Sequence, residues 1–199
     1  MNLPNKLTVL RIILTPAFML TLLVEFPYHG FVAAFIFLVA AVTDFLDGKI
    51  ARSMGLVTDF GKFLDPLADK MITTAAFLGF IALDIGYGSV WIAFIVLFRE
   101  FMVSSIRLIA VSSNGKVIAA NIWGKLKTGS QLVAIFFSVI GYQIVKIMAE
   151  TSTDPVAVAS TADIVAIITT VMLWASTAIC VISGVVYFVQ NVGFIKHTK

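Results

Sequence analysis

Apolar residues in this chain gather into long runs at roughly positions 7–26, 31–53, 61–83, 88–112, 128–148 and 161–190. Each run reaches the length of about 20 residues that an α-helix needs to cross a bilayer. Short connections rich in turn residues separate them: Pro27 to Gly30, Asp84 to Gly88, Ser113 to Gly115 and Thr151 to Pro155. The pattern predicts an all-α integral membrane protein with six transmembrane helices. No Pro- or Ser-rich linker, low-complexity tract or long polar insertion divides the chain, and no internal repeat stands out. Residues 1–199 are therefore expected to form a single membrane domain.

Composition agrees with the pattern. Hydrophobic residues make up 60% of the chain and charged residues 13%, against about 25% charged in a soluble domain. The mean hydropathy is +1.03. A water-soluble core cannot absorb that much apolar surface, so lipid is the expected solvent. The first run carries Pro16 and Arg11 and shows no small-residue cleavage site, so it reads as a retained helix and not as a removable signal. The single cysteine, Cys180, lies in an apolar run and reads as a packing residue. A net charge of +3 gives no case for nucleic acid as a partner.

The position of the charges says more than their sum. Lys6 and Arg11 mark the start of the first span, and Lys49, Arg52, Lys62 and Lys70 flank the connection between spans two and three. Lys116, Lys125 and Lys127 follow span four, and Lys196 and Lys199 close the chain. The alternate connections carry no Lys or Arg beyond Lys146. By the positive-inside rule, both termini and the connection between spans two and three are expected on the cytoplasmic side.

Spans two and three also hold four carboxylates, Asp44, Asp47, Asp65 and Asp69. Asp44 and Asp47 are three residues apart, and Asp65 and Asp69 four, so each pair shares a helical face. A short connection makes the two spans antiparallel neighbours, which lets the pairs face each other. Two like charges ~5 Å apart repel by about 3 kcal/mol at an effective dielectric of 20, so the cluster needs neutralising. Protonation is one route. The other is a hard divalent cation, for which an all-oxygen donor set is suited. No His or Cys is placed to join the set, which argues against zinc. A metal pair commonly clamps the oxygens of a transferring phosphoryl group. Around the acids, Gly48 and Ala51 lack bulk, Arg52 offers a planar fork of donors, and Gly61 permits close approach near a helix start. These suit a nucleotide diphosphate.

Written out, the stretch is Asp44-x2-Asp47-Gly48-x2-Ala51-Arg52-x8-Gly61-x3-Asp65-x3-Asp69. It resembles the signature of the CDP-alcohol phosphatidyltransferase family, with all eight defining positions matched. The stretches Asn2 to Thr8 with Arg11, Thr58 to Gly61, Asp65 to Lys70, Arg99–Glu100 and Gly124 to Thr128 narrow the resemblance to bacterial members whose acceptor is glycerol 3-phosphate. The resemblance implies six transmembrane helices around a polar cavity open to the cytoplasm, a homodimer in the bacterial inner membrane, and CDP-diacylglycerol as donor. It assigns Asp44, Asp47, Asp65 and Asp69 to two Mg²⁺ or Mn²⁺ ions and Asp69 also to the general base. Gly48, Ala51, Arg52 and Gly61 fall at the positions around the CDP group.

Other residues carry more than one reading. Asn5 and Thr8 are candidates for the diphosphate or for helix capping and the interface. The acceptor phosphate is a dianion that the acids alone would repel, so it needs a basic pocket of its own. Arg107, Lys125 and Lys127 are the candidates, with Arg99 as a further choice. Arg99 and Glu100 are adjacent and should point in different directions, so a mutual pair is not expected. The bland alternative for the acids is a helix-end salt-bridge network with Arg52, Lys62 and Lys70, which leaves the glycine and alanine placement unexplained. Transfer to inositol phosphate or another polyol is the alternative within the family. A carboxylate-lined ion or proton transporter is the alternative outside it.

Overall fold

In the computed structural model of the chain, the backbone is described over residues 3–54, 59–114 and 122–196, and side chains over 5–44, 67–108 and 122–191. Among the described residues there are six helices and no strand: α1 (Leu3–Leu23), α2 (His29–Met54), α3 (Asp59–Ala82), α4 (Ser89–Asn114), α5 (Ile122–Thr151) and α6 (Pro155–Lys196). The chain is an all-α membrane protein. Four helical segments, Asn5–Leu23, Ser89–Leu108, Ile122–Thr151 and Pro155–Asn191, are long and apolar enough to cross a bilayer, and His29–Asp44 is a shorter apolar stretch.

The helices run past the expected apolar limits where local chemistry lets them. Asp154 caps α6: its Oδ1 accepts the N–H groups of Val156 at 2.9 Å and Ala157 at 3.3 Å. Pro155 fills the first helical position, where a missing N–H costs nothing. The 42 residues of α6 extend on the order of 60 Å, about twice the hydrocarbon thickness. At the end of α3, Asp84 takes a left-handed φ of 54° and the Ile85 N–H donates to Phe80 O at 2.8 Å, closing the last carbonyls.

Around the bundle the packing order is α1, α2, α5, α6, α4, α3 and back to α1. This corrects the expected adjacency of spans two and three. Among the described residues the two make few contacts, and α1 lies between them, packing on both. The side chains explain why. Phe18 of α1 meets Phe37 of α2 with ring centroids 5.6 Å apart. Leu22 sits on Gly79 of α3, where an added Cβ would come within 2.5 Å of its Cδ2. Small residues that admit a neighbour in this way are the usual basis of helix packing in lipid.

Phe18, Leu22, Phe37, Phe77, Phe80, Ile92, Ile135 and Leu173 are buried between the helices. Ile13, Leu20, Phe35, Phe94, Phe98 and Phe101 point outward, as lipid-facing positions do. The connection between α1 and α2 is tied to α5. Lys146 Nζ pairs with Glu25 at 2.7 Å and lies 3.2 Å from His29 Nε2, and the Gly30 N–H donates to Gln143 Oε1 at 2.6 Å. His29 Nδ1 lies 3.3 Å from the carbonyl of Thr21. A carbonyl only accepts, so Nδ1 carries the proton and Nε2 accepts from Lys146. The Lys146 hydrogen bond holds the Glu25 carboxyl below its usual range. The connection between α3 and α4 is tied to α6: the Tyr87 N–H donates to Thr170 Oγ1 at 2.9 Å, and Trp174 Nε1 donates to Tyr87 O at 3.1 Å.

Candidate active site

The acids lie toward the opposite ends of α1, α2 and α3 from those connections. Arg11 follows the start of α1 by eight residues, Asp44 precedes the end of α2 by ten, and Asp69 follows the start of α3 by ten. At 1.5 Å per residue all three sit about 12–15 Å in from one end of the bundle. Their side chains meet there. Arg11 Nη1 lies 2.5 Å from Asp44 Oδ1 and 2.7 Å from Asp69 Oδ1. The arginine side chain is 1% exposed, whereas the two carboxylates are 41% and 53% exposed. The site is therefore layered, with a buried cation at the back and two open carboxylates in front.

Three helices converge at this point for reasons visible in the sequence. Asn5, Thr8 and Arg11 recur every three residues, placing them on one stripe of α1, and all three are buried. An arginine inside an apolar run is costly in lipid unless it meets a partner. That cost is the sequence signal for Arg11, beside its place in the topology charges and in the family resemblance.

Asp47, Gly48, Ala51 and Arg52 fall in α2, and Gly61 and Asp65 in α3, but their side chains lie outside the described residues. The structure thus brings together the first and last acids of the motif, Asp44 and Asp69. These two fit a hard cation. Their donors are all oxygen and both carboxylates are partly exposed.

A second polar cluster joins α4, α5 and α6. Glu100 Oε1 accepts from Arg99 Nη1 at 2.8 Å and from Lys127 Nζ at 2.7 Å. Arg99 Nη2 donates to Ser183 Oγ at 2.8 Å. The expectation that Arg99 and Glu100 would not pair is overturned. Neighbouring side chains leave a helix at different angles, but both are long and both are turned toward α5 and α6, where a shared buried environment favours pairing. Gly184 makes room for the stem of Arg99, since a Cβ there would stand 2.8 Å from Arg99 Cγ.

The four acceptor-phosphate candidates therefore divide. Arg99 and Lys127 are buried and share Glu100, whereas Arg107 and Lys125 are exposed. Lys70, next to Asp69, was not among the candidates. It hydrogen-bonds Ser104 of α4.

Residues 1–182 match the family model described as CDP-alcohol phosphatidyltransferase. Over 146 residues the chain is 40% identical to the CDP-diacylglycerol–glycerol-3-phosphate 3-phosphatidyltransferase of Bacillus subtilis, covering 67% of this chain and 74% of that protein. The Escherichia coli K12 protein of the same name is 38% identical over 138 residues, covering 67% of this chain and 74% of its own length. A probable phosphatidylglycerophosphate synthase of Mycobacterium tuberculosis is 43% identical over 138 residues, with 67% and 64% covered.

Proposed function

Because the chain belongs to the CDP-alcohol phosphatidyltransferase family, we propose that it transfers the phosphatidyl group of CDP-diacylglycerol to sn-glycerol 3-phosphate and releases CMP. The observation that carries this reading is the convergence of Asp44 and Asp69 on one open face of a membrane bundle. The relatives named for that transfer supply the choice of acceptor.

In the reaction, the acceptor hydroxyl attacks the lipid-bearing phosphorus in line. The new P–O bond forms as the bond to CMP breaks, and a carboxylate takes the hydroxyl proton. Asp69 is the assigned base. Its Oδ1 meets Arg11, and a carboxylate offers about four lone-pair sites, so proton acceptance does not require that contact to break. Asp44, Asp47, Asp65 and Asp69 would hold a pair of Mg²⁺ or Mn²⁺ ions. When bound, the ions neutralise the diphosphate and stabilise the departing CMP.

The donor's CDP group is assigned to Asn5, Thr8, Gly48, Ala51, Arg52 and Gly61. Asn5 and Thr8 share a stripe of α1 with Arg11, whose guanidinium meets Asp44 and Asp69, and that nearness supports their part in it. The acceptor phosphate is assigned to Arg107, Lys125, Lys127 and Arg99. Exposure favours the first two, because the other two already share Glu100. Two acyl chains enter laterally between lipid-facing helices while the head group meets the polar mouth. The mouth and both termini face the cytoplasm, a reading supported by the Lys and Arg bias between alternate connections. Six membrane crossings by residues 1–199 as one domain, and assembly as a homodimer in the bacterial inner membrane, complete the reading.

The test is CMP release by purified protein supplied with CDP-diacylglycerol, Mg²⁺ and a panel of acceptors. Glycerol 3-phosphate should be the best acceptor. A preference for inositol phosphate would overturn the acceptor assignment, and no CMP release with any acceptor would overturn the reaction.

A further inference from the structure

We propose that Arg11 is the positioning residue of the aspartate cluster: it sets the separation of Asp44 and Asp69, so that a divalent cation meets two carboxylates already drawn together. The inference rests on the metal-dependent reading above and adds to it a residue outside the aspartate motif.

The helix order leaves a role for such a residue. Asp44 and Asp69 belong to helices that make few contacts among the described residues, with α1 between them. Packing between the described parts of α2 and α3 therefore does little to fix the gap between the two acids. Arg11 projects from the intervening helix and touches both, with one nitrogen on Oδ1 of each carboxylate at 2.5 and 2.7 Å. Changing its length or geometry changes the spacing of the acids directly.

Burial explains how the contact persists. A guanidinium on a surface samples many rotamers and contributes little order. At 1% exposure, behind carboxylates that are 41% and 53% exposed, Arg11 is confined. A cation arriving from the open side meets the acids first and does not need to displace the arginine. Arg11 touches only Oδ1 of each acid in these contacts, so the lone pairs of neither carboxylate are exhausted. Arginine suits this position better than lysine, because its planar fork keeps its charge and presents donors at fixed angles.

The rival reading is that Arg11 merely neutralises the acids during membrane insertion. The two readings differ in sign. A neutralising charge competes with the metal, so its removal tightens metal binding. A positioning residue supports the metal, so its removal weakens binding, and groups that orient metal ligands are typically worth about 10–100-fold in affinity.

The experiment uses the full chain in detergent without substrate. Free Mn²⁺ is followed by electron paramagnetic resonance during titration of the native protein, Arg11→Met and Arg11→Lys, with elution profile and melting recorded for each. Native protein should bind Mn²⁺, Arg11→Met should bind about 10-fold or more weakly, and Arg11→Lys should fall between them. Equal or tighter binding by a folded Arg11→Met protein overturns the inference, as does a lowered melting temperature with Mn²⁺ affinity retained. Should Arg11→Met fail to fold, Arg11→Lys decides, and native affinity in that variant overturns the inference. If the native protein itself binds no Mn²⁺, the metal reading fails, an outcome visible before any variant is compared.

Discussion

In the proposed mechanism Asp69 does two things with one carboxylate: it holds metal and accepts the proton of the acceptor hydroxyl. Replacing it by asparagine keeps shape and one oxygen while removing charge and basicity. Asp69→Asn is therefore expected to leave nucleotide binding measurable and to lower kcat by at least ~10², as for the loss of general-base help. Steady-state CMP release beside equilibrium binding of CDP-diacylglycerol checks this, and near-native turnover would remove Asp69 from the mechanism. The basic residues are separated by what they already bind. Charge-assisted hydrogen bonds contribute about 1.5–3 kcal/mol each. Exposed Arg107 has its charge available to the acceptor, so Arg107→Ala should raise the KM for glycerol 3-phosphate about 10-fold and leave that for CDP-diacylglycerol nearly unchanged. Lys125→Ala should act in the same direction. If neither variant moves the acceptor KM, the phosphate pocket lies elsewhere.

At the scale of the helices, the Glu100 cluster fastens α4 to α5 and α6. The side chains of Arg99 and Lys127 are 11% and 10% exposed, and both depend on one carboxylate. Glu100→Gln keeps the size but strands two buried cations, and breaking a buried pair from one side costs about 3–5 kcal/mol. A clear fall in the melting temperature of the detergent-solubilised protein is expected, and a melt at the native temperature would show that the cluster does not brace these helices. This cluster also marks the limit of what the sequence discloses. The convergence of Asp44 and Asp69 was legible because helical periodicity sets which residues share a face, whereas Asp47 and Asp65 lie outside the described side chains. Six helices were legible because apolar runs of that length have few other uses. Lateral order was not, since hydropathy is blind to which helix stands beside which. Leu22 seated on Gly79 inserts α1 between the acidic helices, and nothing in the pattern of either run announces that fit. For the same reason the two partners of Arg11 were not legible from its position along the chain.

At the scale of the whole molecule, the two ends of the bundle differ in chemistry. One end carries Asp44, Asp69 and Arg11, with Lys70 beside them. The other carries the connections sewn to α5 and α6 through Lys146, Gln143, Thr170 and Trp174. A phosphatidyl transfer that consumes a water-soluble acceptor needs its acidic end where that acceptor is made, so orientation is a functional property of the fold. Basic residues concentrate near the acidic end, and on the positive-inside rule we propose that this end faces the cytoplasm. Single cysteines at Ser53 and Ser152, one near each end, test this in a Cys180→Ala background. Cys180 is itself fully buried, so its removal chiefly lowers background. In right-side-out membrane vesicles, an impermeant thiol reagent should label Ser152→Cys and should reach Ser53→Cys only after the membrane is opened. Labelling of Ser53→Cys but not Ser152→Cys in sealed vesicles would invert the protein, placing its acidic end on the side opposite a cytoplasmic supply of acceptor.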